Sequence, residues 1–501
     1  MEMMDSSRSR TLLWIGLLAG ITAVFGGIIL AFGGVLAGVA LVIAGIATLV
    51  VLRDIEVGFW GVIGVICLLP FATLPFDIGL TPTFLDLAQA AVVGVWALGI
   101  ITGKQRTVVV TPITIPLLIF MITAVFSFIF GLNNGPLTPT LLRKFAELIL
   151  SIFFVLVVID YATGESGTQI SQMNTDKDTK KNQCSSAQSV SNSWYRLNRL
   201  VKAVLIAGAA GSFLAIGLWL LPDQTANDAL NLLTRIGYPG GWIIRYIEEN
   251  PGLAERAIGT AVDPNVLGGL LLMIGSLSGA QLVAKRPLFP KWATWSIFGL
   301  IIVALILTFS RGAMLGLIAG LGFIAVMRYR RLIPYMAVGG LLMLFLPFMQ
   351  DYVARFTAGF LNQDLATQMR WGEYKDALTL IGRYPIFGVG FAGTPDIDIY
   401  LAVANVYLTI AGAMGLVGLL AFTAVIVTVF GYAFNNRHYF KQDGNEQADA
   451  VWLGLHAALV GGLAAGVFDH YLFNLEFQHA VAVFWLFVGL AVSATRLGEQ
   501  K

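Results

Sequence analysis

Charged residues are scarce in this chain. Lys, Arg, Asp and Glu make up only 12% of its 501 residues, whereas soluble domains carry about 25%. Because 57% of the residues are hydrophobic, the composition excludes a soluble globular domain and predicts an integral membrane protein. The net charge of +2 gives no reason to expect a nucleic-acid partner.

Cysteines and cofactor motifs are also rare. Cys67 lies in an apolar run and Cys184 in a polar segment, so a structural disulfide is not expected. The sequence has neither a metal-ligand cluster nor a glycine-rich phosphate loop or nucleotide motif. We therefore predict that the protein holds no metal and no other cofactor.

Long apolar runs are abundant. A helix needs about 20 apolar residues to cross a bilayer, and we divide the 12–52 run at Gly33-Gly34 into two spans. The pattern predicts an all-α, polytopic transmembrane bundle of about 12–14 spans with a large helical loop on the outer side. The 403–434 run is longer than one span needs, so we expect it to tilt or to begin as a half-helix at the outer face. The apolar segments are 12–32, 34–52, 57–74, 86–102, 113–131, 145–162, 200–221, 262–283, 293–309, 312–327, 332–349, 403–434, 451–468 and 480–495.

Basic residues cluster in alternate loops. With a cytoplasmic N-terminus, 21 of the 31 Lys and Arg residues fall in inner loops, which is the bias of inner-membrane proteins. Both termini are then cytoplasmic. The first apolar run has no convincing cleavage site before or within it, which favours a retained helix over a signal peptide. We expect a multi-pass protein of the inner (cytoplasmic) membrane, in contact with the lipid bilayer.

The chain divides into three parts. We expect N-terminal transmembrane helices over 1–162, a disordered cytoplasmic polar loop over 163–198, and a transmembrane core over 199–501. The core includes two long outer loops, 222–261 and 350–402. Both mix aromatic and charged residues at helical spacing, which predicts short amphipathic helices at the membrane surface.

Three arginines lie on the side opposite most of the positive charge. Arg256, Arg311 and Arg370 all fall in outer segments, against the bias that fixes the topology. Arginine stays protonated near lipid and presents fixed bidentate donors to phosphate oxygens. We interpret the cluster as a site for an anionic substrate, namely a diphosphate on a lipid carrier.

Four sequence blocks follow one another in the core. They are Arg256-Ala-Ile-Gly-Thr-Ala-Val-Asp-Pro-Asn265, Thr308-Phe-Ser-Arg-Gly-Ala-Met-Leu-Gly316, Arg370-Trp-Gly-Glu-Tyr-Lys-Asp-Ala-Leu378 with Pro385-Ile-Phe-Gly-Val-Gly390, and Asn405-Val-Tyr-Leu408 with Gly415-Leu-Val-Gly418. In this order, the blocks resemble the O-antigen ligase and O-antigen polymerase (Wzy-type) superfamily. The resemblance covers about 200–495.

The resemblance implies a metal-independent, glycosyltransferase-like enzyme of cell-envelope polysaccharide and lipopolysaccharide biosynthesis. Such enzymes take a glycan from undecaprenyl diphosphate, a polyprenyl-diphosphate carrier, at the outer face of the inner membrane. The acceptor is a lipid, a protein or another glycan. In the family, the arginines at the positions of Arg256 and Arg370 hold the diphosphate, and we add Arg311 from its position.

One position departs from the family pattern. Ligases carry His-Asn, nine residues, and then Gly-x-x-Gly, whereas this chain has Ala404 before Asn405. That histidine is the family's candidate base for the acceptor hydroxyl, and alanine cannot accept a proton. The chain could use another base, act as a polymerase with other needs, or have lost transferase activity.

The candidate replacement bases are acidic residues and histidines that are predicted to lie on the outer side of the membrane, and none of them has a decisive claim. Asp469, His470, Glu476 and His479 lie in the last outer loop, Asp263 lies beside Arg256, and Glu373 and Asp376 lie one turn from Arg370. The candidate catalytic residues are thus Arg256, Arg311, Arg370, Glu373, His470 and His479. The candidate substrate-binding residues are Asp263, Asn265, Ser310, Trp371 and Asn405.

Structural explanations compete with each assignment. Arg311 could cap a helix hairpin, and Arg256 and Arg370 could pair with Glu255 or Glu373. The Asp263-Pro264-Asn265 block could cap a helix, and the glycine pairs could serve turns and packing. His456, within a span, is expected to have its hydrogen bonds satisfied there.

Two other functions compete with glycan transfer. Some membrane proteins linked to inorganic-carbon uptake resemble the same superfamily, so a transporter or transport-associated protein for a small anion is the first alternative. Transporters usually bind their substrates at mid-membrane on broken helices, often within internal repeats. The second alternative is an inactive scaffold of a polysaccharide assembly complex.

Overall fold

Helices form nearly all of the described structure. The structure is a computed structural model that describes residues 45–74, 81–103, 108–164, 179–343, 365–394, 403–442 and 444–500, with positions 345, 350, 353–354, 357 and 361. Within these residues, eight helices are long and apolar enough to cross a membrane, and four shorter apolar helices accompany them. The prediction of an all-α polytopic membrane protein is confirmed.

The described residues include fourteen α-helices and one two-stranded antiparallel sheet. The sheet pairs β1 (Arg245–Tyr246) with β2 (Glu255–Arg256). The helices are α1 (Ile55–Leu68), α2 (Phe84–Ile101), α3 (Thr114–Gly131), α4 (Pro139–Thr163), α5 (Thr179–Leu220), α6 (Asp223–Asn231), α7 (Pro264–Val283), α8 (Lys291–Leu307), α9 (Arg311–Met327), α10 (Leu332–Met343), α11 (Leu365–Arg383), α12 (Val406–Asn436), α13 (Glu446–Ala465) and α14 (Gln478–Glu499).

The N-terminal part of the prediction is only partly covered. The predicted span 12–32 and most of 34–52 lie outside the described residues, although 45–53 are helical. Residues 165–178 of the predicted polar loop also lie outside them. The predicted end of that loop at residue 198 is wrong, because α5 already includes Trp194 and Leu197, which are buried. Their three-residue spacing places both on one helix face, which the polar residues around them obscured.

Two helices form the centre of the bundle. Helices α7 and α14 are almost entirely buried by their neighbours, whereas α2 and α3 expose most of their surface. Small residues let α7, α9 and α13 approach closely. A Cβ added to Gly316 would lie 2.7 Å from the carbonyl oxygen of Gly461, and one added to Gly320 would lie 2.3 Å from Oγ of Ser276. Close contact through such residues replaces the hydrophobic effect as the force between helices in lipid.

Helix α12 is broken within its apolar run. Gly415 has φ 68° and ψ −174°, a backbone conformation that favours glycine, and it divides α12 into a short first half and a long second half. The break occurs in the run that was expected to tilt or to begin as a half-helix. The observed half-helix agrees with the second of these expectations.

A loop fills the break in α12. The N–H groups of Val389 and Gly390 donate to the carbonyls of Gly412 and Ala413, each at 2.9 Å, and the N–H of Leu416 donates to Pro385 at 2.8 Å. Backbone groups freed by the break are thereby satisfied within the protein, as the low dielectric of a membrane requires. The two glycine-containing motifs of the sequence thus pack against each other.

Candidate functional site

The hairpin of β1 and β2 holds Arg256 at one end of the bundle. Arg256 is the cross-strand partner of Arg245. Between the strands, Glu248 and Glu249 both have φ 53°, which is uncommon for residues other than glycine. The hydroxyl of Tyr246 donates to Oδ2 of Asp223 and so connects the hairpin to α6. That hydrogen bond raises the pKa of Tyr246 to about 12.

The guanidinium of Arg256 is oriented by two hydrogen bonds. Its Nε donates to the carbonyl oxygen of Thr308 at 2.8 Å, and its Nη2 donates to Oδ1 of Asn265 at 2.8 Å. One bond reaches the turn between α8 and α9, and the other reaches the first turn of α7. Because both partners belong to packed helix ends, the arginine is positioned before any ligand binds.

Asp263 caps α7. Its Oδ1 accepts hydrogen bonds from the backbone N–H groups of Asn265 at 2.8 Å and Val266 at 2.9 Å. Burial of the carboxyl raises its pKa, and the nearby Asp469 adds to the increase, although the backbone hydrogen bonds and Arg256 oppose it. Asp263 therefore acts as the N-cap of α7, and the neighbouring Asn265 accepts a hydrogen bond from Arg256.

The turn between α8 and α9 carries Ser310 and Arg311. It is held by a hydrogen bond from the N–H of Ala257 to the carbonyl of Leu307 at 2.8 Å, in addition to the bond from Arg256. Phe309 has φ 52° within this turn, a strained conformation that persists only where surrounding contacts impose it. Ser310 is the N-cap of α9 but its side chain makes no capping hydrogen bond, so the first N–H groups of the helix lack that partner.

Helix α11 supplies Arg370, Glu373 and Tyr374. Oε2 of Glu373 accepts a hydrogen bond from the backbone N–H of Ala404 at 2.9 Å. The hydroxyl of Tyr374 lies 3.2 Å from each of the carbonyl oxygens of Ala404 and Val467. Burial raises the pKa of Tyr374, so it stays a neutral donor at physiological pH. Trp371 is exposed, with its ring centroid 6.0 Å from that of Tyr374.

All three arginines line one small cavity. Its volume is about 160 Å³, below the ~300–1,000 Å³ of pockets that hold drug-sized ligands. A group of diphosphate size suits this volume, whereas an oligosaccharide does not. Arg256 comes from β2, Arg311 from the start of α9 and Arg370 from α11, so the guanidinium-bearing residues converge from separate stretches of chain. The lining consists of Tyr246, Glu248, Glu249, Arg256, Asn265, Phe309, Ser310, Arg311, Gly312 and Arg370.

Sequence reasoning found five of these lining residues and missed others. The predicted Arg256, Arg311, Arg370, Asn265 and Ser310 line the cavity, whereas Tyr246, Glu248 and Glu249 were not assigned to the site. The signal for the two glutamates was weak, because a pair of acidic residues in a polar loop is ordinary. Their left-handed backbone, which places them at the cavity, has no signature in residues of this type.

Asp469 and His470 form a pair in the turn after α13. Nδ1 of His470 lies 3.3 Å from Oδ1 of Asp469, and Asp469 is buried. Burial acts to lower the pKa of His470, but the nearby carboxylate of Asp469, with further contributions from the charges of Glu373 and Asp263, raises it above its ordinary value. Glu373 lies on α11, which carries Arg370, and Asp263 precedes α7, which carries Asn265. His470 is therefore close to two of the elements that line the cavity.

Asn405 is the N-cap of α12. Its Oδ1 accepts from the N–H of Leu408 at 2.9 Å, and its Nδ2 donates to the carbonyl of Val467 at 2.9 Å. The side chain that was expected to bind substrate thus joins the start of α12 to the turn that carries Asp469. Asn405 therefore connects two elements near the cavity but does not line the cavity itself.

His479 lies in the first turn of α14, which begins at Gln478, two residues before the predicted start of this segment at 480. The His479 side chain is 1% exposed, and its ring centroid lies 5.2 Å from that of Phe71 and 6.2 Å from that of Phe477. It is absent from the lining of the arginine cavity. The assignment of His479 as a candidate base stays a prediction, and its ring is packed among aromatic side chains.

In the ranges that the structure describes, no group of three or more His, Cys, Asp or Glu residues has the arrangement of a metal site. The three converging arginines supply cationic groups for an anion, and Glu248 and Glu249 lie in the same lining.

The fold and the cavity together define a polytopic helical membrane protein with a small cavity lined by three arginines. Residues 296–423 match the family described as O-Antigen ligase, which confirms the resemblance to the O-antigen ligase and polymerase superfamily. The matched segment includes Arg311, Arg370 and the break at Gly415, and Arg256 precedes it. A search of curated proteins found no match.

Proposed function

We propose that this protein is a membrane glycan transferase that binds a polyprenyl-diphosphate-linked donor at the arginine cavity. The observation that carries the proposal is the convergence of Arg256, Arg311 and Arg370 on about 160 Å³ of space. The O-Antigen ligase match over residues 296–423 supports the same reaction class. The glycan itself would extend outside the cavity, toward its acceptor.

The chemistry requires positive charge where the leaving group forms. An acceptor hydroxyl attacks the anomeric carbon of the donor sugar, and the bond from that carbon to the diphosphate oxygen breaks. Polyprenyl diphosphate leaves with an additional negative charge, and the hydroxyl proton passes to a base. Guanidinium groups fixed around the diphosphate stabilise that charge as it develops. We infer that they do so without a metal ion, and that EDTA leaves donor binding unchanged.

The start of α9 supports the same assignment. Ser310, Arg311 and Gly312 all line the cavity, and they form the N-cap and first turn of a 17-residue helix. The N-terminus of a helix carries partial positive charge and presents backbone N–H groups. Because the Ser310 side chain does not cap these groups, a phosphate oxygen is a suitable partner for them.

We propose His470 as the base in place of the family histidine. Glu373 is a weaker candidate because its carboxylate accepts the N–H of Ala404 and so positions the backbone at the family's histidine site. His470 pairs with Asp469, which can orient the imidazole and stabilise its charged form. A histidine accepts a proton only when neutral. Since the pKa of His470 is raised, transfer should increase as the pH rises through that pKa.

The distribution of basic residues supports the proposed orientation. Helices α7, α8, α9, α12 and α14 each have one end at the arginine cavity or its supporting turns. Basic residues flank the far ends of the same helices, where the positive-inside rule places the cytoplasm. The cavity would then face the outer side of the inner membrane. These basic residues are Lys285, Arg286, Lys291, Arg328, Arg437 and Arg496.

The broken helix α12 is the feature that favours an anion transporter. Transporters use such breaks to bind substrates at mid-membrane. Here the backbone groups at the break bond the segment 385–390, so they are occupied by protein. The arginines come from β2, the start of α9 and α11, and none of them belongs to α12. Transport of a small anion therefore explains fewer of the contacts than glycan transfer does.

The proposal is tested by binding of undecaprenyl diphosphate to the purified protein. Substituting Arg370→Ala should weaken binding by about tenfold or more, because a hydrogen bond to a charged group contributes about 1.5–3 kcal/mol. Arg383→Ala is the matched control, since Arg383 lies on the same helix, is exposed and is absent from the cavity lining. Equal affinity of the two variants would refute the assignment of the cavity.

A further inference from the structure

A second cavity lies between α9, α12 and α13, away from the arginines. Its volume is about 470 Å³. Phe323, Ile426, Phe430 and Trp452 form much of its wall, and His456 lines it among these apolar side chains. The cavity is lined by the second half of α12, beyond the break at Gly415.

The hydrogen bonding of His456 fixes its protonation. Nδ1 lies 2.7 Å from the carbonyl oxygen of Trp452, one helical turn earlier on α13. A carbonyl oxygen only accepts, so Nδ1 carries the proton, and Nε2 of the neutral ring is an acceptor. The side chain is 1% exposed, and Nε2 is buried without a hydrogen-bond partner among the described residues. The expectation that His456 is satisfied therefore holds for only one of its two nitrogens.

The depth of His456 restricts what can bond it. It follows the first residue of α13, Glu446, by ten positions, which is about 15 Å along a helix. The hydrocarbon core of a bilayer is about 30 Å thick, so the imidazole lies near its middle. A charged headgroup is costly at this depth, whereas a neutral hydroxyl is tolerated once it donates a hydrogen bond.

We propose that this cavity binds a long-chain lipid alcohol whose hydroxyl donates a hydrogen bond to Nε2 of His456. The volume lies in the range of about 300–1,000 Å³ that is typical of small-molecule sites. The apolar wall accommodates the chain, and the imidazole selects the end group. Because Nε2 is covered, the hydroxyl reaches it when one of the neighbouring rings turns aside. The rings of Trp452 and Phe430 have their centroids 4.7 Å and 6.1 Å from that of His456.

Two probes that differ only in the donor test the proposal. Cetyl alcohol carrying an alkyl diazirine and its methyl ether are each photocrosslinked to the full-length protein in lipid nanodiscs. Peptide mass spectrometry then measures labelling of the cavity residues on α9, α12 and α13. We expect the alcohol to label the cavity about three- to tenfold more than the ether, which is the effect of one neutral hydrogen bond.

Substituting His456→Phe should remove that preference while keeping the cavity apolar. His479→Phe is the matched control, because His479 is an equally buried histidine outside the cavity, and it should keep the preference. Equal labelling by alcohol and ether in the wild-type protein would overturn the proposal and indicate occupation by ordinary acyl chains. Labelling confined to other helices would overturn it as well. The wild-type comparison decides the question even if His456→Phe does not fold.

Discussion

The carboxylate of Glu373 bonds the backbone N–H of Ala404, 31 positions along the chain, with Oε2 at 2.9 Å from the nitrogen. Ala404 stands where the resemblance would place a histidine, and its backbone N–H is held from the neighbouring helix. Tyr374, the next residue of α11, donates a hydrogen bond from its hydroxyl to the carbonyl of the same alanine. The two contacts fix α11 against the start of α12.

We expect Glu373→Ala to loosen this connection. The N–H of Ala404 loses its partner, and a hydrogen bond to a charged group contributes about 1.5–3 kcal/mol, so its exchange with solvent deuterium should accelerate about tenfold or more. Glu373→Gln keeps an acceptor oxygen and should exchange nearly as the wild type does. If exchange at Ala404 is the same in all three proteins, the contact does not restrain the segment.

The pair of His470 and Asp469 predicts a pH-dependent stability. The pKa of His470 is raised in the folded protein above its ordinary value of about 6.5. Its contribution to the free energy of unfolding is therefore complete below about pH 6.5 and is lost as the pH rises through the folded-state pKa. Thermal unfolding of the wild type should therefore show a loss of stability as the pH rises above about 6.5.

Two variants isolate that contribution. His470→Gln removes the titrating group, and Asp469→Asn removes the charge that raises its pKa. Each should flatten the dependence of the unfolding temperature on pH relative to the wild type. Parallel curves for the wild type and His470→Gln would mean that the pair does not stabilise the fold.

The break in α12 predicts a large effect of one methyl group. A Cβ on Gly415 would lie 2.1 Å from the carbonyl oxygen of Ile386, and its φ of 68° strains any other residue. We expect Gly415→Ala to lower the free energy of unfolding by about 2–4 kcal/mol, through strain and overpacking together. The measurement is thermal or denaturant unfolding of the purified protein in detergent.

The same helix supplies the control. A Cβ on Gly431 meets nothing within 4 Å, so Gly431→Ala should be neutral or stabilising by roughly 0.5–1 kcal/mol. A Gly415→Ala protein as stable as Gly431→Ala would show that the 385–390 segment can move away from α12 at little cost.

The sequence predicted those parts of the site that depend on charge and apolar length. Arg256, Arg311 and Arg370 were recognisable because each opposes the charge bias of the chain, and all three line one cavity. The half-helix at the start of α12 was recognisable because its apolar run exceeds one span. Both signals are spread over many residues, so they do not depend on the exact ends of any single helix.

Features that depend on long-range contacts or single residues could not be predicted. The bond from Glu373 to Ala404 needs two helices placed against each other, which no local pattern encodes. The last apolar segment was predicted to begin at residue 480, whereas α14 begins at Gln478, because helix ends are uncertain by a few residues. The start of α5 was missed because the polar residues around Trp194 masked a buried face.

The separation of the three arginines along the chain has a consequence for biogenesis. Arg256, Arg311 and Arg370 come together only once the hairpin, the α8–α9 turn and α11 have all reached their final positions. A nascent or partly inserted polypeptide would lack the complete pocket and, under the proposed function, could not capture the diphosphate. Ligand retention can thus serve as an assay for correctly matured copies, distinguishing them from those stalled during membrane integration.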